Sequence, residues 1–410
     1  MNLPCIQCKG RNPKNCGRSF CPITAKYNAL FKVKDSLKSE DFYGSSPAPF
    51  IGRFGYPYIN VGLLSPPEVL EQAWLHDAPL HWSSENFSIP QIVDLRSALI
   101  NSRFKANVKQ QNRYLDISKE VGMASKPVDL EINLEKKPVF RLNTSATLAP
   151  MGPTANLKKA KVTSNPKIHT KVDKVVSDHD LKSVNALTYL YKSGFDENFL
   201  SKLLSVGTLG KKLNRKLVPT RWSITSTDST LGNNLLKQIK YYNQIDSYEA
   251  YFGEYLGNYY LILCFPEVWS YELFETYLPN ASWNITNKTQ YTTDYEPYAG
   301  RKTYAAQCAG GFYATRLGVT EKLSKSKKQA SVLVLRFITG EYSVPLGVFV
   351  CRQATRKALE NKPIRFSSKE LLIKYAKILI KRKFGTNIDF LLDNSVLLKN
   401  IKHQKKLVEF

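Results

Sequence analysis

Four of the seven cysteines fall at Cys5, Cys8, Cys16 and Cys21, in the order C-x2-C-x7-C-x4-C. The two-residue gap between Cys5 and Cys8 lets two thiolates reach one metal from a tight turn. Gly10 and Gly17 follow Cys8 and Cys16, where such turns need room. Four thiolates close a tetrahedral site, which suits a structural Zn2+ with no open position for substrate. An iron–sulfur cluster is the alternative, because four cysteines satisfy it too. Metal binding would fold a segment too short to hold a core of its own. Lys9, Arg11, Lys14 and Arg18 are interleaved with the cysteines, either as phosphate contacts or as a solvated face.

The sequence closes on a second pattern: Gln404, Leu407 and Phe410 form Q-x-x-L-x-x-F. Apolar residues three apart fall on one side of a single turn and can fill an apolar groove, with the glutamine amide at its rim. Peptides that dock on sliding clamps have this arrangement. The bland alternative is that Leu407 and Phe410 fold back as an apolar plug.

Between these ends lie candidates for phosphate chemistry. Gly44, Gly52, Gly55 and Gly62 surround Arg53 and Tyr56. No Gly-Lys-Ser/Thr follows, so this is not a Walker loop. It is either a DNA-backbone contact through Arg53, with Tyr56 and Tyr58 to stack, or a strand–turn–strand with structural glycines. The block Val218–Leu231 gathers Arg221, Ser223, Thr225 and Asp228 at the start of a predicted helix. Hydroxyls and free amides at a helix N-terminus make a phosphate cradle, although the same residues also serve as caps. Arg301, Arg316, Arg352 and Arg356 complete the phosphate-binding set. Asp228, Asp294 and Glu296 are the carboxylates available to hold Mg2+ for phosphodiester cleavage. Each also suits a cap or an ion pair. A lysine of depressed pKa would instead form a Schiff base at an abasic sugar, and the sequence does not single that lysine out.

The whole chain bounds these readings. It has 410 residues, a length for two to three domains, with 43% hydrophobic and 12% aromatic content to bury cores. The formal charge is +25, from 59 basic and 34 acidic residues. Heat-stable proteins enrich lysine together with glutamate; here the acids lag, which points to a polyanionic partner, nucleic acid first. No apolar run is long enough for a membrane span and no signal-peptide core is present, so the expected location is cytoplasmic and nucleoid-associated.

The elements that must position these residues follow from pattern. A helix is predicted from Ser65-Pro-Pro-Glu68 with Val69, Leu70, Ala73 and Trp74 buried, and helices are predicted over 88–117. Two strands are predicted over 128–142, joined at Glu135-Lys136-Lys137, and helices over 183–213. A strand pair turns at Gly257-Asn258, strands follow at 331–338 and 344–351, and Ser367 to Gly385 frames a last long helix. His76 and His81, with no ligand spacing, read as structural. The expected fold is mixed α/β (α+β). It comprises a C4 zinc module at 1–40, a first α/β domain at 41–145 and a basic linker at 146–182. A second α/β domain at 183–390 and a clamp-docking tail at 391–410 complete it.

The ordered set of motifs is more specific than any one of them. It runs from C-x2-C-K-G…C-G…C-P-I through the Gly44–Gly62 loop and V-P-T-R-W-S-I-T at 218–225. It continues through G-R-K-x-Y-A at 300–305 and G-G-F-Y-A-T-R-L at 310–317 to the terminal Q-x-x-L-x-x-F. Along its full length the chain resembles the archaeal Nre DNA repair proteins. The resemblance implies a role in DNA damage repair, zinc on Cys5, Cys8, Cys16 and Cys21, and binding to the sliding clamp PCNA through Gln404, Leu407 and Phe410. It implies no settled reaction. Three functions stay open: a clamp-recruited DNA-binding repair factor, an enzyme cleaving damaged DNA (a Mg2+-dependent nuclease or an abasic-site lyase), and a scaffold without DNA contact.

Overall fold

The structure is a computed structural model that describes residues 8–11, 21–37, 39–138, 140, 149–284 and 286–403. Cys5, Cys16, Gln404, Leu407 and Phe410 lie outside the described residues. The chain divides into two compact units: Lys9–Leu231, and Met1–Cys8 with Gly232–Phe410.

The first unit holds helix α1 (Pro22–Ser36), strands β1 (Asp41–Ser46), β2 (Ala48–Ile51) and β3 (Tyr58–Ser65), and helices α2 (Pro79–Ser84) and α3 (Ile89–Ser97). Then come β4 (Ile100–Asn107), α4 (Arg113–Met123), β5 (Val128–Leu134), β6 (Thr154–Val162), α5 (Thr170–Ser177), α6 (Ser183–Lys192), α7 (Glu197–Ser205) and the start of α8 (Thr220–Ile239). Its six-stranded sheet runs β1-β5-β6-β4-β3-β2, antiparallel except for β4 beside β6. β5 alternates strictly: Val128, Leu130, Ile132 and Leu134 are buried and the residues between them are not. That period of two marks a sheet with one face on a core and one toward solvent. The core face packs Leu130 and Ile132 with Ile100, Ile117 and Val121.

The second unit holds β7 (Tyr248–Tyr255), β8 (Asn258–Phe265), β9 (Ser270–Tyr277), β10 (Gln290–Glu296), α9 (Ala309–Ser326), β11 (Ser331–Ile338) and α10 (Phe349–Glu360). β12 (Ile364–Phe366), α11 (Lys369–Phe384), α12 (Asp389–Asn394) and α13 (Val396–His403) follow. The sheet order is β10-β9-β11-β8-β7-β12, with β9 and β11 parallel. Every residue of β11 is buried, as expected of a central strand covered on both faces. One face packs Leu261, Leu263, Leu333 and Leu335 against Leu372, Ala376 and Ile380 of α11. Against the sheet's β7, α10 comes close because Gly253 has no side chain; a Cβ there would lie 2.6 Å from the Ala358 Cα. The last helix is fixed by one buried carboxylate. Glu272 on β9 accepts from Ser395 Oγ at 2.5 Å, Val396 N at 3.0 Å and Leu397 N at 2.9 Å.

The β7–β8 hairpin, the β11 strand and α11 with its Gly385 terminus match the sequence reading, and the helix is capped by Ser368, one residue after the expected Ser367. Elsewhere the structure corrects it. The stretch expected as a linker at 146–182 carries β6, which lies between β5 and β4 inside the first sheet, and α5. Its lysines disguised it: Ala155, Leu157 and Ala160 point to the core while Lys158, Lys159 and Lys161 are exposed. The helices at 183–205 belong to the first unit, not to the second domain expected from 183. Residues 100–107 form a strand inside the expected helical run. No helix starts at Pro66-Pro67, and Ala73–Asp77 form only a short 3-10 turn; the paired prolines remove two backbone donors there. Val69 and Trp74 are exposed, not buried. The second expected strand, 344–351, is broken by Pro345 and by Gly347 at φ +102°, and α10 begins at Phe349. In the described part of 128–142 only β5 is a strand. On α11 the buried face is Leu372, Ala376 and Ile380, while Leu371 and Ile378 are exposed.

Candidate nucleic-acid interface

On the solvent face of the first sheet, one row of side chains crosses three strands. Phe50 on β2 pairs with Gly62 on β3, which pairs with Arg103 on β4. Glycine at the centre of this row leaves a gap where the sheet would otherwise carry a side chain. The neighbouring Asn101 leans into it: its Oδ1 lies 1.8 Å from where a Cβ on Gly62 would stand. The gap opens into a cavity of about 410 Å³ lined by Phe50, Arg53, Phe54, Arg103, Met151 and Arg221 along with Gly62 and Asn101. Asn101 is 5% exposed, and its Oδ1 has no hydrogen-bond partner. The pocket therefore has almost wholly apolar walls, to which the stems of Arg53, Arg103 and Arg221 contribute, with an unsatisfied amide oxygen buried behind them.

Two segments bring the remaining groups to this mouth. The β2–β3 turn, with Gly55 at φ +81°, carries Arg53, Phe54, Tyr56 and Tyr58 into solvent. Arg53 lies over the Phe54 ring at 4.8 Å. The start of α8 is tied to β2, where Ile51 N donates to Thr220 Oγ1 at 2.9 Å. This places Arg221 in the pocket wall and Trp222 beside Tyr56, with ring centroids 5.4 Å apart. Phe54 is 78% exposed and Tyr58 68% exposed. Guanidiniums interleaved with exposed aromatic faces are what single-stranded nucleic acid requires: charge for the backbone and flat surfaces for the bases. Arg53, Tyr56 and Arg221 are thus brought together as the sequence suggested. Ser223 and Thr225 are not part of it. Ser223 is buried and donates to Thr220 O at 2.9 Å, and Thr225 turns back to Arg221 O at 3.4 Å, so their hydroxyls serve the helix itself. Asn101 and Arg103 were missed as site residues. Their signal was a glycine inside a strand opposite an Asn-x-Arg alternation, and it was hidden while 100–107 read as helix.

The second unit gathers the other predicted residues into ion pairs. Glu296 accepts from Arg316 Nη1 at 2.5 Å and from Trp269 Nε1 at 3.2 Å, with both charged side chains almost fully buried. Asp294 pairs with Arg301 at 3.1 Å and accepts from Cys308 N at 2.8 Å. Arg301 also donates to Tyr295 O at 2.6 Å and lies over the Phe312 ring. Arg356 makes a forked pair with Glu321 at 2.8 and 2.7 Å, and Arg352 is buried. A second buried pair joins Arg336 to Glu275, with Arg336 also donating to Asn258 Oδ1. The motifs at 300–305 and 310–317 therefore meet as a structural cluster, in which Tyr304 and Tyr313 stack at 5.5 Å. Arg301, Arg316 and Arg356 are turned toward carboxylates of the fold instead of toward a phosphate. The oxygens of Asp294 and Glu296 are likewise committed, one of each to arginine and the others to Cys308 N and Trp269 Nε1, which does not fit a Mg2+ site there. Asp228 is fully buried in α8 of the first unit. Among the described residues no three His, Cys, Asp or Glu side chains group as metal ligands.

For the cysteine cluster, only Cys8 and Cys21 can be placed. Cys8 opens a turn with Lys9 at φ +49° and Gly10 at φ +78°, the left-handed backbone that a C-x2-C knuckle needs. Cys21 is the N-cap of α1, followed by Pro22. Both are half-buried free thiols, and Cys5 and Cys16 lie outside the described residues. Nearby in sequence, burial pushes the Lys26 amine down to about 8. His76 Nδ1 donates to Leu95 O at 2.7 Å, and His81 packs between Trp74 and Phe87, so both histidines are structural.

No helix among the described residues is long and apolar enough to cross a membrane. The family profile for the N-terminal part of archaeal Nre matches residues 15–284, and that for the C-terminal part matches 296–410. A protein named DNA repair protein NreB from Archaeoglobus fulgidus is 33% identical over 409 residues, covering all of both chains. DNA repair protein NreA from Haloferax volcanii is 36% identical over 81% of each chain, and NreA from A. fulgidus is 36% identical over 90% of this chain and 91% of its own. No solved structure matches. The profile boundary near 284–296 falls within the second sheet, between β9 and β10, whereas the units divide at Leu231. The chain belongs to the archaeal Nre family.

Proposed function

We propose that this protein is a DNA repair factor that binds DNA through the arginine-lined pocket and aromatic rim of its first unit. In this reading Gln404, Leu407 and Phe410 recruit it to the sliding clamp PCNA, and a structural Zn2+ on Cys5, Cys8, Cys16 and Cys21 holds its N-terminal segment. The observation that carries it is the convergence of Arg53, Arg103 and Arg221 on one cavity beside exposed Phe54, Tyr56, Tyr58 and Trp222. The formal charge of +25 and the names of the relatives agree. Tethering to a clamp raises local concentration, so intrinsic affinity for DNA need not be high.

The test is a salt titration of DNA binding with wild type and Arg53→Ala/Arg221→Ala. Wild type binds with affinity that falls steeply with salt, and the double variant binds more weakly with a shallower slope. A flat titration overturns the DNA-binding reading. Clamp recruitment is tested separately by binding PCNA with and without residues 404–410; equal binding overturns it.

A further inference from the structure

We infer that the first unit's pocket takes a single unstacked nucleotide, with its base inside the cavity and its phosphates on the arginine rim. The inference rests on the DNA-binding reading and specifies the ligand of that site.

The pocket's size sets the class. At about 410 Å³ it is in the range of about 300–1,000 Å³ typical of small-ligand sites, too small for a duplex and sufficient for one base with its sugar. Its lining sets the chemistry. A phosphate or sulfate alone would be served by the guanidiniums and would leave Phe50, Phe54 and Met151 with nothing to cover. A base has two apolar faces, and these side chains can contact them. The amide sets the orientation. A buried, unpartnered carboxamide oxygen is costly to maintain, and Asn101 Oδ1 is such an atom at the pocket wall. Gly62 keeps this position open, because any side chain there would occupy the Asn101 oxygen's space. A base edge supplies the N–H that Oδ1 lacks, and a carboxamide can pair with a base edge through two hydrogen bonds. Arg53 and Arg221, both exposed, stand where the flanking phosphates of such a nucleotide would lie. Exposed Tyr58 and the Tyr56–Trp222 pair offer stacking for its neighbours.

An unstacked base is easiest to obtain in a bulge, a mismatch or a single strand. The experiment therefore compares the full-length protein on three duplexes: fully paired, with one bulged adenine, and with one bulged abasic analogue. All keep the same backbone charge apart from the added nucleotide. The expected result is a preference of about tenfold or more for the bulged base over the bulged abasic analogue. Asn101→Leu, with the amide removed and the volume kept, loses that preference. A bulged 2-aminopurine adds a readout on wild type alone: its emission changes on binding, and paired 2-aminopurine does not respond. That arm keeps the proposal testable even when Asn101→Leu misfolds. Equal affinity for bulged base and bulged abasic analogue, with no emission change, overturns the nucleotide pocket and leaves DNA binding standing. Absence of salt-dependent binding to all three duplexes overturns the DNA-binding reading, and the pocket assignment with it.

Discussion

Asn101 and Gly62 compete for one volume: the amide oxygen of the first lies 1.8 Å from the absent Cβ of the second. Gly62→Ala must push the Asn101 side chain aside. Overpacking of this kind costs about 1–3 kcal/mol. The Gly62→Ala/Asn101→Ala double variant should recover part of that loss, because truncation empties the contested space. A denaturation cycle over the four proteins should return a coupling above about 0.5 kcal/mol. Additive costs would mean that the two residues do not meet.

The Glu296–Arg316 pair gives a second cycle. Both side chains are almost fully buried, so Arg316→Met strands a carboxylate and should cost about 3–5 kcal/mol. Pairing that change with Glu296→Gln should restore much of the loss, since no uncompensated charge is left. Urea melts of the three variants check this. If the double variant is as unstable as Arg316→Met, then packing around Phe312 and Tyr313 matters more than charge.

Glu272 supplies a pH test. Burial raises its pKa above the ordinary 4.5, while the donors from Ser395, Leu397, Val396 and Thr293 pull it down without cancelling that rise. The folded protein then holds this proton to higher pH than the unfolded chain does. Its contribution to stability is complete below 4.5 and is lost as pH rises through the raised folded value. Wild type should therefore gain in melting temperature on Glu272→Gln as pH falls from 7 to about 5. A wild type that loses ground on acidification would show the hydrogen bonds outweighing burial.

Zinc on the four cysteines predicts a single bound metal per chain, released by a strong chelator and reduced in Cys8→Ser and Cys21→Ser. Elemental analysis measures it, and colour or acid-labile sulfide would identify a cluster instead. Metal removal should make the segment before α1 protease-sensitive while the two sheets keep their circular dichroism.

The sequence disclosed residues with local signatures and concealed those defined by pairing. Arg53, Tyr56 and Arg221 stood out because glycine-rich turns and a helix start flag themselves in one dimension. Asn101 and Arg103 did not, since their role depends on β4 lying beside Gly62, and register between strands is not written in either strand alone. β6 was hidden for a related reason. Its outward lysines gave the composition of a linker, while Ala155 and Ala160, being small, made a faint inward pattern. Arginines 301, 316 and 356 looked like phosphate ligands because the carboxylates that occupy them are 7, 20 and 35 residues away in sequence.

The carboxylate of Glu272 has a consequence at the other end of the chain. By gripping the first turn of α13 it fixes the point from which residues 404–410 depart. Seven residues stretched to the limit reach about 25 Å. Whatever Gln404, Leu407 and Phe410 bind must come within that radius of His403. Under the proposed clamp binding, the partner would therefore lie close to the β9 strand that holds α13.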